Sequence, residues 1–291
     1  MAAELPSISI VVPNYNGAAT IGQTLESLIA QNYPRLEIIV VDGGSMDSSV
    51  EIIRSYERHL AWWVSEKDRG QAHAINKGFA RATGEVVNWL CSDDQLLPEA
   101  LLTVGRQFAE NPEIDVLAGR TIEHFSDGRP ERLWGPYPEV VDVLPVNVPC
   151  GQPSCFYRRK LLLARAAPLD ESFHYALDTE LWTYFQSIGA RWKMMEVPLS
   201  KTLTTGTNKT ASGGIQITHE LERLYALYRH EKIPLTFWHR RLRYPLERIR
   251  TRHPGWGFGL IYFPYQCAVI LLLAPFYGYR RVRWMNWVGF A

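Results

Sequence analysis

The sequence predicts an α/β protein, with a mostly parallel central sheet flanked by helices on both faces. Three observations predict it. Short β-branched runs alternate with helix-spaced segments four times before residue 112. Each run stops abruptly in a polar cluster: Asn14–Asn16, Asp42, Glu66–Arg69 and Ser92–Asp94. Crossover connections of this kind align the strands, so those clusters gather at one rim, where such sheets bind ligands.

The elements follow in order. "SISIVV" (7–12) reads as a buried strand and "PNYNGA" as a turn. Residues 20–30 place Ile21, Leu25, Leu28 and Ile29 at helical spacing, with Thr20 at the N-cap. "LEIIVVD" (36–42) is a second strand, followed by a turn and a helix of about three turns from near Ser48. "AWWVSE" (61–66) is a third strand. The helix over 70–84 closes at Gly84, "EVVNWL" (85–90) is the fourth strand, and Pro98 opens another helix. Beyond residue 112 the pattern loosens. Residues 114–125 read as a strand before the hairpin turn "SDGRPER", 146–159 as loop-rich, 179–189 as a helix and 201–214 as a polar, glycine-rich loop.

Length and charge bound the classes. The 291 residues suffice for one large domain with an appendage, expected as 1–215 (halves 1–112 and 113–215) and 216–291. Residues 216–291 hold 12 Lys and Arg against 4 Asp and Glu, whereas 1–215 hold 19 against 26. An acidic body thus carries a basic tail, which suggests a phosphate-rich partner. The four cysteines form no CxxC pair, so neither a zinc site nor a disulfide framework is expected. The first residues, with Glu4 and no basic stretch, do not read as a signal peptide, and a cytoplasmic chain is expected.

The turn after the first strand, "PNYNGAAT", has one glycine and no lysine. A dinucleotide fingerprint and a phosphate-cradling P-loop are therefore disfavoured. A nucleotidyltransferase would need a basic, glycine-rich loop there. Asp42 either accepts from the imide N–H of a pyrimidine or caps its own turn. Arg69 precedes a helix N-terminus, a setting that favours phosphate. His73, Asn76 and Lys77 share one face of that helix. The pair Asp93-Asp94 is electrostatically awkward, because adjacent carboxylates oppose each other's ionisation. Mg²⁺ or Mn²⁺ takes such oxygen ligands and would relieve the repulsion while offsetting charge on a diphosphate. A pair that only caps the next helix is the structural alternative.

"ISIVVPNYNGAATIGQTLESLIAQNYPRLEIIVVDGGSMDSS" and "EKDRGQAHAINKGFARATGEVVNWLCSDD" resemble family-2 inverting glycosyltransferases of the GT-A fold, over roughly residues 7–215. The resemblance implies that Pro13, Tyr15 and Asp42 contact the nucleobase, and that Arg69 and Asn76 lie near the nucleotide. It implies that Asp93 contacts ribose and Asp94 the cation. "HYALDTELW" is similar to the segment bearing the general base, which makes Asp178 the base, Glu180 its fallback, and Leu177 and Trp182 apolar neighbours that would raise its pKa. "CGQPSCFYRR" resembles the acceptor-side segment, so Gln152, Ser154, Glu180 and Trp182 are candidates there. The chain departs from relatives at Cys91, where an acidic residue or Asn is common, and near Thr204, where a His often helps bind metal or diphosphate. Lys201 or Lys209 is the expected substitute.

Residues 255–279 contain no charge and eight aromatics, with Arg248, Arg250 and Arg252 before them and Arg280, Arg281 and Arg283 after. Pro264 and Pro275 interrupt a stretch otherwise long enough to span a bilayer. A monotopic anchor on anionic lipid is expected, with a span, a buried cap or a dimer surface as alternatives. Basic residues mixed with so long an apolar run disfavour nucleic acid. The implied activity is transfer of one sugar from a nucleotide sugar, UDP-linked by preference, to a lipid-linked or surface-glycan acceptor in polysaccharide biosynthesis. A non-catalytic nucleotide-sugar-binding scaffold of the same fold is the rival.

Overall fold

The computed structural model describes residues 4–141, 144–145, 148–205, 209–230, 233, 235–238, 241–242, 246 and 258–287. The first half alternates as expected: β1 (Ile8–Asn14), α1 (Ile21–Ile29), β2 (Leu36–Asp42), α2 (Ser49–Ser55), β3 (Trp62–Ser65), α3 (Gln71–Phe79) and β4 (Val86–Trp89). A short strand, β5 (Asp94–Leu96), then precedes α4 (Ala100–Glu110). The second half contains β6 (Val116–Phe125), β7 (Arg132–Trp134), α5 (Pro138–Val141), β8 (Cys155–Arg158), α6 (Leu177–Ser187), β9 (Trp192–Thr204) and α7 (Lys209–Tyr228).

One sheet runs in the order β3-β2-β1-β4-β8-β6-β9-β5, with β7 paired to β6. β3, β2, β1 and β4 are mutually parallel. β8 enters antiparallel between β4 and β6. All seven residues of β1 are buried, the signature of a central strand covered on both faces. Its side chains alternate between two cores. Val11 joins Val41, Trp89, Tyr157 and Trp182 on one side, while Ile8, Ile10 and Val12 join Leu25, Leu28 and Phe108 on the other.

Two boundaries differ from the sequence reading. The third helix ends at Phe79, not at Gly84. Gly84 is needed for close approach to β1, because a Cβ there would lie 2.5 Å from Ser9 Oγ and 2.7 Å from Ser9 N. The hairpin after β6 forms as expected, with β7 returning antiparallel. The expected loop 201–214 instead holds the end of β9 and the start of α7. β9 extends there because β6 and β5 both offer it backbone partners.

The basic tail does not stand apart from residue 216 onward: α7 runs through the expected 215/216 boundary. The apolar stretch forms one helix, Phe258–Tyr277, which passes through both prolines, and a last helix follows over Tyr279–Trp287. Val269, Leu273 and Val282 pack on Tyr225 and Leu235 as a third core. The expected flank Arg248, Arg250 and Arg252 lies outside the described residues. Among the described residues no helix is long and apolar enough to cross a membrane.

Candidate active site

The rim expected from strand ends is present, and turns build it. β1 stops at Asn14, where the chain turns at Asn16 and Gly17. Asn14 Nδ2 donates to Asp42 Oδ1 at 2.7 Å, tying the ends of β1 and β2. Asp42 is fully buried, and five donors saturate it: Asn14 Nδ2, both Ser45 N and Oγ, Gly44 N and Ser65 Oγ. Burial alone would raise its pKa, but these hydrogen bonds outweigh it and hold the carboxyl below its ordinary value. Asp42 is thus committed to the turn, and the expected nucleobase contact needs another acceptor. Asp68, within the rim cluster Glu66–Arg69 but given no role of its own by the sequence, stands at this place. A Cβ on Gly43 would lie 2.5 Å from Asp68 Oδ2, so the missing side chain makes room for that carboxylate over the end of β2. Asp68 Oδ1 accepts from Gly70 N at 2.7 Å, just before α3. Its signal was a glycine pair after β2 together with an acid after β3. Pro13 is buried within β1, and Tyr15 is 61% exposed at the rim.

The carboxylate pair sits on a tight turn between β4 and β5. Asp94 N donates to Cys91 O at 3.0 Å, and Thr24 Oγ1 donates to Asp94 O at 2.8 Å. β5 pairs with β9, which locks Asp94 opposite Thr202. The Asp94 carboxylate is 8% exposed, and among the described residues it has no hydrogen bond. Burial first, then the charge of Asp93, pushes its pKa well up. Burial also raises Asp93. The helix-cap alternative fails, because α4 begins at Ala100 with Glu99 at its N-cap and no side-chain cap bond. The ligand atoms of Cys91, Asp93 and Asp94 all lie within 4.8 Å of one another. Two hard oxygens and one sulfur around an uncompensated buried charge fit a divalent cation.

Asp178 lies in the first turn of α6, where Oδ1 accepts from Thr179 N at 2.6 Å. Burial raises its pKa, the shift a general base working near neutral pH requires. Lys209 opens α7 and reaches this side of the site. Its Nζ donates to Gln71 Oε1 at 2.9 Å, and Gln71 Nε2 lies 3.2 Å from Cys91 Sγ. Burial lowers the Lys209 pKa, while Cys91, Asp178 and Glu220 oppose that shift. Lys201 instead pairs with Glu131 at 2.7 Å, along β9. Of the two expected substitutes, Lys209 is the one near Asp178.

Several expected residues serve the scaffold instead. Glu180, the fallback base, is 1% exposed and forms a two-point ion pair with Arg165, with Tyr228 donating to it as well. Trp182 is 1% exposed and belongs to the core, so it cannot line an acceptor groove. Ser154 is buried and bonded to Arg120 O, Thr121 Oγ1 and Ser200 Oγ, which stitches β6 to β9. Gln152 Nε2 is bound to Asn88 Oδ1 and Trp89 O, bracing the strand before Cys91. Asn76 exchanges two hydrogen bonds with the Leu169 main chain, at 2.9 and 2.8 Å, so its amide anchors that loop. The exposed Arg69 pairs with Glu171 at 2.7 Å, and Lys77 with Glu66 at 2.8 Å.

Glu220 was absent from the sequence reading. From α7 its carboxylate accepts the N–H groups of His174, Tyr175 and Ala176, each at 2.8 Å. It thereby satisfies the start of α6 from a different helix, two residues before Asp178. No local motif signals such a cap, because the partners are more than 40 residues apart.

The sequence model of glycosyl transferase family 2 matches residues 9–165, more than half of the chain. An uncharacterized glycosyltransferase of Nostoc sp. is 30% identical over 174 residues, covering 56% of this chain and 54% of the relative. An uncharacterized glycosyltransferase of Rickettsia typhi is 26% identical over 232 residues, covering 77% and 70%. The chain thus spans about half the length of the Nostoc relative. Among solved structures, the mannosyltransferase PcManGT of Pyrobaculum calidifontis with GDP-Man and Mn²⁺ superposes with a TM-score of 0.63 at 19% identity, covering 97% and 84%. S. aureus TarS 1-349 with UDP-GlcNAc gives 0.59 at 17%, covering 96% and 89%. The fold is therefore GT-A-like.

Proposed function

The chain belongs to glycosyl transferase family 2, and we propose that it moves one sugar from a nucleoside-diphosphate sugar to a hydroxyl of a lipid-linked or surface-glycan acceptor, inverting the anomeric configuration. One observation carries this reading: a half-buried Asp178 with a raised pKa, the half-buried cation Lys209 and the Asp93-Asp94 turn converge from three separate parts of the chain.

In this mechanism Pro13 and Tyr15 flank the base, and the Asp68 carboxylate accepts a ring N–H. Asp93 takes the ribose hydroxyls. Asp94, with Asp93 beside it, would hold Mn²⁺ or Mg²⁺, which would supply positive charge to the departing diphosphate. Lys209 adds a second positive charge near the same turn. The Asp178 carboxylate accepts the proton of the acceptor hydroxyl while that oxygen attacks the anomeric carbon, opposite the leaving diphosphate. The acceptor groove then lies between the starts of α6 and α7 rather than along Gln152 and Ser154. A UDP-sugar is favoured, although PcManGT, whose complex holds GDP-Man and Mn²⁺, supports the cation more directly than the base.

The acceptor class follows from the tail. Phe263, Leu271, Leu272 and Phe276 of the helix Phe258–Tyr277 are 69%, 77%, 60% and 81% exposed. The exposed Arg280 and Arg283 follow at its end. We assign this exposed apolar surface to an anionic bilayer, which combines apolar insertion with charge complementarity. A lipid-linked acceptor would be presented there.

The deciding measurement is nucleoside-diphosphate release across a panel of nucleotide sugars and lipid-linked acceptors with Mn²⁺. Acceptor-dependent release by wild type and none by Asp178→Asn is expected. Donor binding without turnover across the whole panel would favour the scaffold reading instead.

A further inference from the structure

We propose that Cys91 is a third protein ligand of the cation, making the site a mixed thiolate–carboxylate centre that prefers Mn²⁺ and softer divalent ions to Mg²⁺. The proposal rests on the reading of Asp93 and Asp94 as the cation site. Three observations carry it.

The first is the turn. Cys91 O accepts from Asp94 N at 3.0 Å, so residues 91 and 94 close one tight turn, and the sulfur shares a ligand cluster with both carboxylates within 4.8 Å. Metal–sulfur bonds of about 2.3 Å and metal–oxygen bonds of about 2.1 Å span just such separations. The second is Asp94, a nine-tenths buried carboxylate in that cluster without a hydrogen bond among the described residues. A charge held that way calls for a counter-ion at that point. The third is Gln71. Its Oε1 is turned to Lys209, so its Nε2 faces Cys91 Sγ at 3.2 Å. A donor aimed at sulfur favours the electron-rich thiolate and fixes its direction, as outer partners of metal ligands do.

Selectivity follows from the ligand set. Mg²⁺ demands hard oxygen ligands in near-ideal octahedral geometry, whereas a thiolate favours later transition metals. On binding, the Cys91 S–H bond breaks, sulfur keeps the electron pair as metal ligand, and the proton leaves to solvent.

The test uses the full chain titrated with Co²⁺ alone. Wild type should show a thiolate-to-Co²⁺ charge-transfer absorption in the near ultraviolet. Cys91→Ser should lose that absorption yet still bind Co²⁺ through the carboxylates, and its Mn²⁺-over-Mg²⁺ preference should fall by about 10-fold, the scale of a lost metal-site contact. Cys91→Asp, with an all-oxygen site, is the second variant and should bind Mg²⁺ without the absorption. Saturable Co²⁺ binding that Asp94→Asn abolishes, but without the absorption in wild type, overturns the role of Cys91 and leaves the cation site standing. So does an absorption that persists in Cys91→Ser, since another cysteine then supplies it. Co²⁺ binding indifferent to Asp94→Asn overturns the cation site itself.

Discussion

At the scale of single residues, the same side chain can stabilise the fold or oppose it, and Asp178 opposes it. Its pKa is raised by burial, so in the folded chain it ionises only at higher pH than in the unfolded chain. As pH rises past the ordinary carboxylate range, the unfolded state releases its proton first, and stability falls until the folded value is passed. Asp178→Asn should therefore raise stability at neutral pH, while lowering turnover by about 10²–10⁴-fold. The acidic limb of the wild-type kcat/KM profile should lie above the usual carboxylate range. A destabilised Asp178→Asn that keeps its activity would remove Asp178 as the base. For Lys209→Ala the expectation is a higher donor KM together with kcat lower by about 10²-fold, as when one transition-state contact is removed. Unchanged values of both would leave the lysine no part in diphosphate binding. Glu180 makes the contrast. It was visible as an acid in the right helix, but its partners Arg165 and Tyr228 lie 15 and 48 residues away, beyond any local pattern. Glu180→Ala strands a half-buried Arg165 and should cost about 3–5 kcal/mol. Its effect should show in denaturant melts rather than in kcat per folded molecule.

Among the elements, the strands were readable because a buried strand demands a continuous apolar run. β5 was not, since three residues beginning with an acid carry no such pattern and exist only because β9 pairs with them. The start of α6 teaches the same lesson. The N–H groups of His174, Tyr175 and Ala176 just before it are satisfied by Glu220 of α7, the helix that also carries Lys209. α7 therefore does two jobs, holding the segment before the helix of Asp178 at one point and contributing Lys209 at another. Glu220→Ala should cost about 1.5–3 kcal/mol per charge-assisted contact made uncompensated. It should also lower kcat more than donor affinity, because Asp178 loses its fixed position. Equal loss of both would mean that the contact serves stability alone. Glu220→Gln, which keeps one acceptor oxygen, should restore part of kcat.

For the whole molecule, the question is what covers the exposed apolar surface of the helix Phe258–Tyr277. Its inner face is a core in its own right, through Val269 and Leu273 against Tyr225. Pro264 and Pro275 lie inside this helix, and each removes one backbone donor from its ladder. The outer aromatic and aliphatic side chains remain exposed. Each buried CH₂ is worth about 0.8 kcal/mol on entering an apolar medium. Phe276→Glu with Leu272→Glu should therefore abolish flotation with phosphatidylglycerol vesicles, while leaving transfer to a water-soluble acceptor analogue unchanged. Flotation that survives the double change would move the contact elsewhere. Concentration-dependent dimerisation lost in the same variant would assign that surface to a second copy.

The sequence by itself determined the alternating strands and helices, the shared rim, the family and the positions of Asp178 and Asp93-Asp94, because each depends on short-range periodicity or on a contiguous motif. Only the tertiary structure decided which polar residues are free to meet a ligand. Asp42, Asn76, Ser154 and Glu180 all carry suitable groups, yet each is occupied by partners from distant segments. Asp68, Lys209 and Glu220 gain their roles in the same way, from what the fold brings beside them. A buried hydrogen-bonding group must be satisfied, and which neighbour satisfies it is settled when strands and helices far apart in the chain come into contact.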